Sequence, residues 1–152
     1  MIDQIIQCIR ETKFEQAYLL MHTMPLEKKW DIISNDLYDE EPAIIYAFLM
    51  YLIAIDNNEA EWHYFCCSYL IYCHPFFDDS MRLAAWHIKQ ALRLSPTNID
   101  YKEQVISVFY SFPEWYFSFE DFYQYAEDVL KIEPDNLDAK NILLEKSKTV
   151  KD

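Results

Sequence analysis

LRLSPTN (92–98) and LKIEPDN (130–136) are two versions of one phrase: leucine, a charge, an aliphatic residue, a polar residue, proline, a polar residue, asparagine. Leu92 closes an apolar stripe of Met81, Ala84, Ala85, Ile88 and Ala91, the spacing of one helix face. Asp78, Asp79 or Ser80 is placed to cap that helix at its start. The opposite face is expected to carry Arg82, His87, Lys89 and Arg93. Pro96 stops the helix, because it lacks an N–H and restricts the residue before it. Asn98 then stands at the start of the next helix, over 98–111, with Tyr101, Val105, Val108 and Phe109 inward. In the second copy Pro134 ends a helix over 119–132, and Asn136 opens a last one to about Lys148. Ser118 and Asp121 have the spacing of a capping box for 119–132.

The same period runs through the rest of the chain. Ile2, Ile5, Ile6 and Ile9 share one face, as do Phe14, Ala17, Tyr18 and Met21. Pro25 opens a helix expected to reach Tyr38 through Leu26, Trp30, Ile33 and Leu37. Pro42 starts the most apolar run, AIIYAFLMYLIAI (43–55). As a helix it spans roughly 20 Å against a hydrocarbon core of ~30 Å, so it reads as a central buried helix and not a membrane span. Asp56-Asn57-Asn58 is expected to end it without a glycine, asparagine being the usual substitute there. A further helix over 59–73 ends before Pro75. No segment sustains the alternation of a strand. The expected fold is all-α: about nine helices in stacked antiparallel hairpins, forming one domain over 1–152.

Composition narrows function. The chain of 152 residues contains no glycine. Phosphate loops, dinucleotide turns and nucleophile elbows need glycine for φ > 0 or for close backbone approach, so none is expected. The formal charge of −13 disfavours nucleic acid and favours a basic partner. MIDQIIQCIRETKFEQ lacks a basic segment followed by a long apolar one, so no secretory signal is expected. Cys8, Cys66, Cys67 and Cys73 make a poor disulfide framework and suggest reduced thiols in the cytoplasm.

Two resemblances follow from the repeated phrase. Ala84, Ile88, Ala91 and Pro96 are spaced as in the second helix of a tetratricopeptide (TPR) repeat. Phe122, Ala126, Val129 and Pro134 repeat that spacing after 38 residues, against about 34 in the family. The extra length falls on SFPEWYFS. The first helices lack the family's Leu-Gly signature, so residues 59–148 resemble degenerate TPR-like hairpins of a solenoid. Residues 69–115 also resemble small helical immunity proteins of bacterial toxin systems, including contact-dependent growth inhibition loci. The matching residues are Cys73-His74, Ala85, His87, Lys89, Ala91-Leu92, Leu94, Pro96, Tyr101-Lys102-Glu103 and Pro113-Glu114. That resemblance implies a cytoplasmic protein that binds and blocks one toxin domain, a nuclease such as an RNase; it names no contact residue.

His63, Cys66, Cys67, Cys73 and His74, with His87 from another element, invite a metal reading, since zinc takes Cys and His. No CxxC pair occurs and one straight helix cannot wrap a metal, so core packing is preferred, with no metal and no cofactor expected. Cys73 and His74 are neighbours and diverge by about 100° on a helix, which suits no nucleophile pair. The expectation is not an enzyme.

Charge and aromatics say more. No lysine or arginine lies between Lys29 and Arg82, while acids gather at helix ends. Asp36, Asp39, Glu40, Glu41, Asp56, Glu59, Asp78 and Asp79 are expected to form an anionic rim that steers a basic partner. In FYSFPEWYFSFEDFY (109–123), Glu114, Trp115 and Tyr116, with Glu120 and Asp121, are the second candidate contact set. Trp and Tyr are frequent interface anchors, though the stretch could equally plug the gap between two hairpins. The expected function is an immunity protein that occludes a basic toxin domain; the alternative is a TPR-like adaptor or chaperone for another protein or peptide.

Overall fold

The computed structural model describes residues 1–56, 59–76, 78–112, 114 and 116–149. Among them every regular element is helical. The nine α-helices are α1 Ile2–Arg10, α2 Phe14–Met21, α3 Leu26–Asp31, α4 Pro42–Ile55, α5 Glu59–Ser68, α6 Ser80–Leu94, α7 Ile99–Val108, α8 Phe119–Ile132 and α9 Leu137–Thr149. The chain is all-α. It divides into two compact units, Met1–Ala91 and Leu92–Asp152. Asn57, Asn58, Pro113 and Trp115 lie outside the described residues, so the expected asparagine stop after residue 55 and the Trp115 anchor are not placed.

In the first unit α1 and α2 pack on each other and on α4, and α4 packs on α5. The apolar run behaves as a core helix: Ile45, Phe48, Leu49 and Leu52 are buried. Burying each such side chain stabilises by roughly 1.5–3 kcal/mol before entropy is counted. Among the described residues no helix is long and apolar enough to cross a membrane.

Two helices end differently from their expected form. The helix opened by Pro25 leaves α geometry after Asp31 and continues as a π turn over Ile32–Asp36, where the Leu37 N–H donates to the Ile32 carbonyl at 3.0 Å. The helix over 59–73 does the same: Tyr69–Cys73 is a π turn, and the His74 N–H donates to the Tyr69 carbonyl at 3.1 Å. A π turn adds a residue to the turn, so apolar side chains that straight α geometry would swing outward stay on the core. Ile32, Ile33, Leu37, Tyr69 and Leu70 are all fully buried.

The second unit follows local rules closely. The Asn98 side chain accepts from the Tyr101 N–H at 3.3 Å. Ser118 Oγ accepts from the Asp121 N–H at 3.1 Å, and Asp121 Oδ2 accepts from the Ser118 N–H at 3.0 Å, which completes the expected capping box. Asn136 caps α9 by accepting from the Ala139 N–H at 3.1 Å, and its amide donates to Glu103 on α7 at 2.7 Å. α7, α8 and α9 pack pairwise, and residues 133–136 are a short link, so α9 turns back along α8.

Candidate functional site

The two π turns lie against each other and set the positions of the segments that follow them. Their exits form the walls of a cleft of about 540 Å³. Tyr38 comes from the segment before α4 and Pro42 is the first residue of α4; Tyr72, Cys73 and His74 come from the second π turn and its exit, and Phe76 and Asp78 from the turn into α6. The Tyr38 ring stacks on His74 with centroids 5.6 Å apart, and Tyr69 supports His74 from another side at 5.0 Å. Ser80 pins the turn by donating to the Pro75 carbonyl at 2.7 Å. Three aromatics of this cleft are turned to solvent: Tyr38 is 51%, Tyr72 61% and Phe76 96% exposed. Aromatics left this open beside a formed concavity suit partner contact better than folding.

The expected acidic rim is divided by the structure. Asp36 is exposed at the end of the first π turn, Asp39 and Glu41 are exposed between the cleft residues Tyr38 and Pro42, and Asp78 lines the cleft from the other segment. Two corners separated by about 40 residues of chain are thus brought to one site. Glu40 lies between Asp39 and Glu41 but is held by Arg10, whose guanidinium hydrogen bond keeps the carboxyl below its usual range. Asp79, at φ 59°, pairs with Arg82 at 2.6 Å. Asp56 faces the buried Lys29 ammonium at 3.9 Å, and Lys29 also lies over the Trp62 ring. Glu59 is exposed in the first turn of α5.

The second candidate set belongs to the other unit. Of the aromatic stretch, Phe109, Phe117 and Phe122 are buried and touch in sequence, with centroids 5.4 and 5.9 Å apart. These three are core. Tyr116 is half-buried, edge-on to Phe109 at 6.0 Å. Glu114 and Glu120 are exposed, and Asp121 serves the capping box.

One expectation is overturned. His87 does not share the outer face of α6 with Arg82, Lys89 and Arg93, which are exposed; it is fully buried. Its Nδ1 lies 2.8 Å from His63 Nδ1, and its Nε2 lies 2.9 Å from the Tyr46 hydroxyl. The reason is geometric: Ala84, His87, Ile88 and Ala91 occupy i, i+3, i+4 and i+7, one stripe of the helix. Polarity suggested an outward position; a partner for each ring nitrogen allowed an inward one. Burial, reinforced by His63, lowers the His87 pKa to about 3. The imidazole stays neutral at ordinary pH, with one nitrogen donating and one accepting. Cys66 and Cys67 are fully buried, and burial pushes both thiols up, Cys66 further because of Cys67. No group of three or more Cys, His, Asp or Glu among the described residues is arranged to hold a metal ion.

Tyr38, Tyr72 and Phe76 were not singled out from the sequence. For Tyr72 and Phe76 the available signal was their position on either side of Pro75, in the short segment between two helices. No protein-family model, curated protein or solved structure matches the chain.

Proposed function

We propose that this protein is a non-enzymatic, cytoplasmic immunity protein that captures a basic toxin domain, a nuclease, through the acidic and aromatic cleft of its first unit. The observation that carries this reading is one concavity with three exposed aromatics, lined by Asp78 and flanked by Asp36, Asp39 and Glu41. Aromatics supply desolvated anchors, and surrounding carboxylates supply attraction where a nuclease would otherwise hold phosphates. The net charge of −13 acts in the same direction at longer range. The resemblance of residues 69–115 to helical immunity proteins supports it and spans most of the cleft.

The test is co-expression with the C-terminal domain of a toxin encoded next to this gene. Rescue of growth and co-purification are expected; failure of both rejects the reading. Association should slow at least tenfold between 50 and 500 mM salt, on the order expected for steered encounter. An unchanged on-rate would remove the steering argument.

A second reading, a TPR-like adaptor, draws on Leu137 and Leu144, exposed seven residues apart on α9. Its binding would be lost by polar substitution at those two positions and kept by cleft variants, the reverse of the outcome expected here.

A further inference from the structure

Three features of the cleft select among basic groups. First, no lysine or arginine is among the described residues that line it, and the nearby cations already have acids: Arg82 holds Asp79 at 2.6 Å, and Arg10 holds Glu40 through Nε at 2.7 Å. Asp78 is the carboxylate of the cleft lining itself. Second, the cleft is lined by aromatic rings that are more than half exposed: Tyr38 presents a ring stacked on His74 at 26°, and Tyr72 and Phe76 line the same space. Third, the fully buried Tyr69 hydroxyl and His74 Nε2 have no hydrogen-bond partner. His74 lines the cleft, and the Tyr69 ring lies 5.0 Å from it. Cys73, in the cleft lining, and Glu41, next to Pro42, add to the burial that raises the Tyr69 pKa. Unmet hydrogen-bonding capacity of this kind beside a cleft favours a ligand that carries several donors.

We infer that this cleft receives an arginine side chain of the basic partner, with the guanidinium stacked against the Tyr38 and Tyr72 rings and paired to Asp78. Arginine matches all three features. Its planar cation stacks on aromatic faces, it forks onto a carboxylate, and it carries five donors; it is also less strongly hydrated than lysine's ammonium. The volume of about 540 Å³ lies within the range of ligand pockets and admits the side chain with adjoining backbone. A toxin domain that binds phosphate through arginine would offer this group, so the inference rests on the proposed function and states what the cleft recognises.

The experiment uses the whole chain with labelled tyrosine and phenylalanine rings, followed by NMR. The probe is N-acetyl-arginine amide at millimolar concentration, compared with the lysine and the uncharged citrulline amides. Saturable shifts confined to the Tyr38, Tyr72 and Phe76 rings are expected with arginine, weaker ones with lysine and none with citrulline. Asp78→Asn should weaken the arginine affinity about threefold to tenfold, and Tyr72→Ala about twofold to fivefold. Both positions are exposed, so folding should be kept. Shifts equal for citrulline, no shift at these rings, or an Asp78→Asn variant that binds unchanged would overturn the inference. The probe carries no toxin sequence, so the two readings fail separately. Growth rescue without an arginine response removes the arginine pocket alone; an arginine response without rescue removes the immunity reading alone.

Discussion

Both units are built from helices, but they differ in how strictly they keep local rules. In Leu92–Asp152, α7 opens on Asn98, α8 on the Ser118–Asp121 box and α9 on Asn136. In Met1–Ala91, two helices pass into π turns, a histidine pair is buried, and three aromatics are left open around a cleft. The lesson is that regularity marks scaffold here, and departures from it mark the candidate site. π turns are often found at functional positions because they re-aim the chain that follows.

The strongest way to break this comparison is to truncate a buried aromatic of the second unit. Phe122→Ala, fully buried in α8, should lower the unfolding free energy by about 3–5 kcal/mol in urea melts. If it does not, the second unit is not the close-packed scaffold described.

Acid should separate the units next. His87 has a folded pKa of about 3 against 6.5 unfolded, so below 6.5 the unfolded chain takes up a proton that the folded one excludes. Its stabilisation is therefore whole above pH 6.5 and declines towards pH 3; from pH 7 to 5 the loss is about 2 kcal/mol. In the second unit, hydrogen bonds from Lys102 and then Lys131 hold Asp128 at about 2 against 3.8, so its contribution is whole above pH 3.8 and is lost only as pH falls towards 2. Hydrogen exchange, corrected for its intrinsic pH dependence, should show α4–α6 loosening below pH 6.5 while α7–α9 hold to below pH 4. A single loss shared by all helices would merge the two behaviours.

Smaller effects sharpen the contrast. Ser118→Ala should cost about 1 kcal/mol by removing half of the capping box, read as a lower midpoint in thermal or urea melts. Phe76→Ala should change stability by less than about 0.5 kcal/mol, because the ring is almost wholly in solvent, and should instead weaken partner binding in a titration. A destabilising Phe76→Ala would place that ring in the core and remove it from the site.

Much of the scaffold was legible because helix period, proline stops and short polar caps are local in sequence. Pro96 with Asn98, Pro134 with Asn136, and Ser118 with Asp121 each act across a few residues, so reading them needs no knowledge of neighbours. The candidate site was half legible. Asp36, Asp39, Glu41 and Asp78 could be named as acidic corners, but nothing in the chain said that Tyr38 and Pro42 line one cleft with Tyr72, His74, Phe76 and Asp78. His87 was misplaced because polarity was weighed above its position in the stripe, and its partners, His63 and Tyr46, lie on other helices.

The sequence by itself therefore determined the all-α class, most helix limits, the caps of the second unit and the acidic character of the surface. Each of these depends on spacing along the chain or on summed charge. Only the tertiary structure decided where α geometry yields to π, that His87 turns inward, and which acids are held by Arg10, Lys29 and Arg82 and which stay at the cleft. Those outcomes depend on groups distant in sequence competing for the same buried space or the same charge, and that competition is resolved only when the helices pack.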